Sequence, residues 1–404
     1  MPARAVADID IHTDTIVRSF EQRADSGEVE LVLPVYGYLG IDYGDAEQGG
    51  LSFNLYGWER KDSADSDLNL ESSKGKLHYG HLGYQKPDNQ FDVGVGHRHF
   101  FAGVADQSDD GLRLTAGIGP NMSTFIFEGL SLDYQDHDGG SINATIGTRL
   151  AYHIMGQYKI GLFYQKTDAD GDLSEKKAGA DFLLRLGSRL TLSGLSSYNI
   201  DSEDWSEHRY DARVLVSHLM IEPSFQYVSY QDYFGKGNAQ NNIFHFLQNE
   251  EEILAISGTD VMWQGLGGVD IGVRGRHYDY DIRQESALYM AGLLTVNTAS
   301  GSQIGIEIGR MDGETADNLY DLYRGYFYWH QPLRIKTQGF ISGDALYIAY
   351  DAPVYGEDKS IQYSLSAGRR FFDNRMETKL SGIFSQDPYF DSDVGGAVTL
   401  HIHY

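Results

Sequence analysis

Apolar and polar residues alternate one by one along much of this chain, the pattern of strands with one apolar and one polar face. Tyr158, Ile160, Leu162 and Tyr164 interleave with Lys159, Gly161, Phe163 and Gln165. Ala178, Ala180, Phe182, Leu184 and Leu186 interleave with Lys177, Gly179, Asp181, Leu183 and Arg185. Val269, Ile271 and Val273 alternate with Asp270, Gly272 and Arg274, and Ile304, Ile306 and Ile308 with Gln303, Gly305 and Glu307. Charges deep inside such strands, opposite an unbroken apolar row, fit a wall with lipid on one side and water on the other.

Short polar turns separate these segments, for example Asp109-Asp110-Gly111, Asp138-Gly139-Gly140 and Ser300-Gly301-Ser302. Asp-Gly and Gly-Gly steps supply the positive φ that tight hairpins require. About 20 to 22 strand-like segments fit between Asp8 and Tyr404, enough for a barrel that leaves no exposed edge. The pattern therefore predicts an all-β fold, a single closed antiparallel transmembrane β-barrel of about 20 strands, range 18 to 22. One domain is expected over 8–404. Residues 1–7 end in Ala5-Val6-Ala7 before Asp8, as in a residual signal-peptide tail, or form a flexible N-terminus.

The alternation also nominates residues for the wet face. Asp92, Arg98, Lys159, Asp181, Arg185, Asp270, Arg274 and Arg276 are the lumen-lining candidates, subject to register, because a slip of one residue reverses every side chain. The longest irregular stretches are Lys61–Gly75 and Tyr233–Glu251. The second carries Asn241, Asn242, Phe244, His245 and Phe246, a candidate constriction or cap loop, or equally an exposed loop. Dense aromatic groups at Tyr36, Tyr38 and Tyr43, at Tyr227, Tyr230 and Tyr233, and from Tyr320 to Trp329 suit the aromatic girdles of an outer-membrane barrel. The chain stops at Val398-Thr399-Leu400-His401-Ile402-His403-Tyr404. Leu400, Ile402 and Tyr404 share one face there, resembling the C-terminal signal read by the barrel-assembly machinery.

Composition narrows the chemistry. The sequence has 404 residues with no Cys, 28 Tyr, 19 Phe and 4 Trp. Without Cys there is no thiolate zinc site, disulfide, thiol catalyst or covalently attached c-type haem on this chain. Asp and Glu number 58 against 32 Lys and Arg, a formal charge of −26. That balance argues against nucleic acid and favours cations or a basic partner.

Other chemical motifs have bland explanations. His97 with His99, and His401 with His403, place two imidazoles on one strand face, a spacing open to metal ligation but more simply interfacial or lumenal histidine. Asp168-Ala169-Asp170-Gly171-Asp172 has its Gly too early for a calcium loop and reads as a hairpin turn. No P-loop, nucleophile elbow, zinc-protease or dinucleotide fingerprint is present, and no enzymatic activity is expected.

A barrel of 20 strands has a backbone diameter of roughly 40 Å and a bore of roughly 25 to 30 Å. Such a hole leaks unless something fills or narrows it. The segments Gly111–Gly119, Ser123–Gly129, Tyr158–Tyr164 and Tyr227–Phe234 resemble, in strand texture, the large outer-membrane channel proteins of metal-reducing bacteria. Among these is the porin-like sheath of porin–cytochrome conduits. The resemblance implies a barrel that houses a periplasmic multihaem cytochrome and meets a surface-exposed one, with every haem on the partner and no cofactor on this chain. The alternative is a general diffusion porin for small hydrophilic solutes, for which the acidic balance would favour a cation-preferring pore. Under both, the partners are outer-membrane lipid and the assembly machinery.

Overall fold

The computed structural model describes residues 9–23, 29–44, 49–62, 73–86, 91–102, 105–132, 142–169, 173–230, 252–265, 267–334, 337–388 and 392–404. The side chain of Arg98, the loop residues Asn241, Asn242, Phe244, His245 and Phe246, and the N-terminal stretch 1–8 lie outside what is described.

The chain forms 23 strand segments in one sheet, each antiparallel to its neighbours. The first, β1 (Ile9–Arg23), pairs along its upper part with β2 (Val29–Val32) and along the rest with β3 (Pro34–Tyr43). β2 and β3 are thus one strand interrupted at Leu33, and the wall has 22 strands. The last strand, β23 (Asp393–His403), returns to β1 from His12 opposite His403 to Phe20 opposite Gly395. This pairing closes the cylinder and leaves no free edge. The count falls at the top of the expected range because some hairpins turn on two residues. Tyr355 and Gly356 do so with φ of 48° and 94°, the mirror-image turn whose twist matches the strands. Lys61–Gly75 proves shorter as a loop than the composition implied, since β4 (Gly50–Asp62) and β5 (Ser73–Gln85) run into it from both sides.

β1 begins and β23 finishes at the same end. Connections at that end span no more than the six residues 44–49, whereas the opposite rim carries 63–72, 133–141 and the segment between Ser229 and Ile253. Outer-membrane barrels keep short turns on the periplasmic side and long loops outside, so the end where β1 begins is periplasmic. No helix among the described residues is long and apolar enough to cross a membrane. The strands make the crossing.

Which face is outer follows from curvature. Side chains diverge on the convex surface and crowd on the concave one. On β18 (Gln303–Gly313), Ile304, Ile306 and Ile308 are 55%, 46% and 55% exposed, whereas Glu307 and Met311 between and after them are 7% and 6%. Leu51, Leu82, Leu112, Leu162, Leu365 and Leu380 are each more than half exposed on strands spread around the wall. A continuous exposed apolar belt on a closed barrel is stable only against lipid.

The aromatic groups divide between the faces. Tyr43, Tyr323 and Trp329 point outward with the belt, as expected of a girdle. Tyr36 and Tyr38 do not, since they alternate with exposed Leu39 and so face the lumen. Tyr326 and Tyr328 likewise alternate with Phe327 and Trp329 and face inward. A run of tyrosines at mixed odd and even spacing cannot all serve one girdle, because strand side chains switch face at every step.

Candidate functional site

The functional surface of such a molecule is its lumen, and its polar groups come from several strands. β15 (Ile253–Gln264), β16 (Val269–Tyr280), β17 (Glu285–Asn297) and β18 form one wall. Arg274 donates to Asp260 at 3.1 Å and to Glu307 at 3.1 Å, and Arg276 contacts Asp260 at 2.7 Å. The Tyr289 hydroxyl donates to Glu307 at 2.8 Å. Two arginines, two carboxylates and a phenol thus form a network across four strands. Farther round, β19 (Tyr320–Arg334) and β20 (Thr337–Val354) continue it, with Arg324 on Asp344 at 2.7 Å. Arg310 shares the outward row of Ile304, Ile306 and Ile308, so its pairing with Asp351 at 2.6 Å lies on the outer face near the end of β18.

The other lumen candidates are spread around the barrel. Asp181, on β11 (Leu173–Leu186), accepts two hydrogen bonds from Arg149 of β9 (Ile142–Ile154), at 2.8 and 2.5 Å. The guanidinium passes over Gly161 of β10 (Tyr158–Ala169), where an added Cβ would lie 2.4 Å from an arginine nitrogen. Asp92, on β6 (Phe91–Ala102), pairs with Arg113 of β7 (Ala105–Ile118). Asp270 accepts from the Asn297 amide at 3.0 Å. Lys159 and Arg185 border a recess at the periplasmic rim with Ser123, His153 and Gln157. Arg274 and Arg276 therefore come together, while Asp92, Asp181 and Asp270 belong to separate clusters.

Sequence alternation missed the partners Arg113, Arg149, Asp260 and Tyr289, and it set Glu307 on the polar row without identifying what it meets. They sit on the same inward rows, but register alone decides who meets whom. It also missed Glu252, fully buried at the stem of the proposed cap loop, where it accepts from the Ile282 backbone N–H at 2.9 Å and from Arg283 at 3.2 Å. Nor is the lumen uniformly polar. Ala287, Tyr289, Ala291 and Met311 are buried together with Tyr278, Tyr320 and Leu322 packed against them. Asp168 of the calcium-like segment is instead paired with Lys166 at 2.6 Å, and Asp170–Asp172 lie outside the described residues.

The wall at the closure has different chemistry. His401 pairs with Asp14, and His403 with Asp10 at 2.6 Å, across the β23–β1 junction. Both imidazoles face the lumen, opposite Leu400, Ile402 and Tyr404 on the lipid row. His97, by contrast, follows Phe91, Val93 and Val95 on the outer row, and the His99 side chain lies outside the described residues. Above the closure rises a lane of rings. Tyr38 stacks on Tyr56 at 5.9 Å, Tyr56 on Tyr79 at 5.4 Å, and Tyr36 meets Trp58 at 5.8 Å, with Arg18 over Tyr36.

No protein-family model matches the sequence, and no curated protein matches it. Solved structures do match in shape. A siderophore receptor, PirA from Pseudomonas aeruginosa, superposes with a TM-score of 0.59 at 10% identity, over 98% of this chain and 80% of the receptor. A P pilus tip assembly intermediate from E. coli, PapC-PapD-PapK-PapG, matches with a TM-score of 0.52 at 12% identity, over 100% of this chain and 62% of that one. Identities this low carry the fold alone. The fold is that of a bacterial outer-membrane barrel. Together with the apolar belt, it places this chain across the outer membrane as a multi-pass β-barrel.

Proposed function

We propose that the chain is the wall of a wide outer-membrane conduit whose lumen houses a partner protein, a multihaem cytochrome carrying electrons across the membrane. The observation that carries this reading is the strand number. With strands about 4.8 Å apart and tilted about 40°, 22 of them enclose a backbone diameter of roughly 44 Å. Barrels of this size are filled, whereas open aqueous porins use about 16 to 18 strands. The described residues outside the strands are short turns and one three-residue helical turn, Ala316–Asn318. None of these described residues fills the bore, and an occupant of another chain would do so. The sequence texture described above supports a haem protein as that occupant, and the acidic balance of the barrel suits a basic one.

The barrel's own part in electron transfer would be to exclude lipid and fix the haem chain in position. Purification from native membranes tests this directly. Haem absorbance should co-elute with the barrel, and the isolated barrel should conduct ions freely until the cytochrome is restored. Absence of any haem protein from the native complex would sink the proposal.

One observation favours a second reading, a diffusion porin for small hydrophilic solutes. The stacked lane of Tyr36, Tyr38, Tyr56, Trp58 and Tyr79 offers flat apolar faces with polar rims to a solute passing along the wall. Solute-dependent blocking of current through the isolated chain, lost in Tyr56→Ala, would support that alternative.

A further inference from the structure

We propose that the lumenal closure of this barrel contains a binding site for a divalent first-row transition ion, built from Asp10, His12 and Asp42. A carboxylate oxygen of each aspartate and a ring nitrogen of His12 all lie within 4.8 Å of one another. The His12 Nδ1 to Asp42 Oδ2 separation is 3.9 Å. Tetrahedral ions with bonds of about 2.0 to 2.2 Å hold neighbouring donors roughly 3.3 to 3.6 Å apart. The three groups need draw in by only about an ångström to grip one.

The surroundings fix the donors. The His12 ring lies across Gly40 on the adjacent strand, where an added Cβ would sit 2.1 Å from Nε2. Only glycine leaves room for the ring there. The ring also stacks on Tyr56 at 5.7 Å with an interplanar angle of 28°. Asp42 Oδ1 accepts from the Asn54 amide at 2.5 Å, which leaves Oδ2 turned towards His12. Asp10 is held by His403 at 2.6 Å, and this imidazole is placed either to orient the carboxylate or to become a fourth ligand. Carboxylates and imidazoles oriented in this way are what bound metals require of their surroundings.

One imidazole and two carboxylates, with no sulfur, suit Zn²⁺, Ni²⁺, Cu²⁺ or Mn²⁺ better than the all-oxygen ions Ca²⁺ and Mg²⁺. The ligands come from β1 and β3, and His403 brings in β23. A bound ion would therefore tie the chain's first strand to its neighbours where the cylinder closes, at the periplasmic mouth. Binding to the folded state alone raises stability with ion concentration. The site does not depend on what fills the lumen.

The test is titration of the full chain in detergent, stripped with chelator, using Zn²⁺ alone and Mg²⁺ as comparison. One Zn²⁺ should bind per chain with micromolar affinity, and the temperature at which the folded gel band is lost should rise with Zn²⁺. His12→Gln and Asp42→Asn should each weaken binding at least tenfold and abolish the rise. His330→Gln, a lumenal histidine on β19, should leave both unchanged. If His12→Gln fails to fold, Asp42→Asn carries the comparison. Wild-type protein that binds no Zn²⁺, binds Mg²⁺ equally well, or binds Zn²⁺ just as tightly after these substitutions would overturn the assignment.

Discussion

On the wall formed by β15 to β18, lumenal polar groups are guanidiniums locked between carboxylates, with Glu307 only 7% exposed. Around the closure of β23, β1 and β3, the same inward rows carry imidazoles and aspartates, and the His401 and His403 side chains are 40% and 48% exposed. Arginine stays charged at any physiological pH, and its fork holds two partners at once. Imidazole ligates metals through either ring nitrogen. One wall is thus pinned by permanent charge. The other is adjustable, and it lies where the first and last strands of the chain must find each other. A common outer belt thus backs two walls of different inner chemistry.

Substitutions can break or sharpen that contrast. The largest effect should come from the belt that both walls share. Ile306→Arg beside the arginine network and Val398→Arg beside the closure should each destabilise the barrel by about 2 to 4 kcal/mol if they lie near the bilayer midplane. Unfolding by denaturant in lipid vesicles measures this, and a large difference between the two would show the belt to be uneven. Next comes Glu307→Leu, which strands part of Arg274 and the Tyr289 hydroxyl. The cost should be about 2 kcal/mol after allowing for the wet lumen, and it should persist at high salt. Gly40→Val at the closure should cost about 1 kcal/mol by pushing the His12 ring aside, in the same unfolding assay. His403→Gln should be the mildest, roughly 0.5 kcal/mol or less, because exposed ion pairs contribute little. A larger loss from His403→Gln than from Glu307→Leu would reverse the ranking of the two walls.

Much of the architecture could be read from residue order. A period of two produced both faces of β10, β11, β16 and β18, and the same logic assigned Leu400, Ile402 and Tyr404 to one face with His401 and His403 on the other. Lipid on one side and water on the other impose that alternation on every strand, so local sequence suffices. The tyrosine groups were less legible, because a cluster in sequence mixes odd and even positions and only the neighbouring strand rows show which way Tyr36 or Tyr326 points.

What the sequence could not contain is register and closure. His403 reaches Asp10, and Arg274 reaches Glu307, only because each strand stops sliding at one particular offset and the sheet curls until its ends meet. Those offsets come from the summed packing and hydrogen bonding of 22 strands, not from any short segment. The polar clusters of the lumen, and the Asp10–His12–Asp42 arrangement above all, are therefore properties of the closed cylinder.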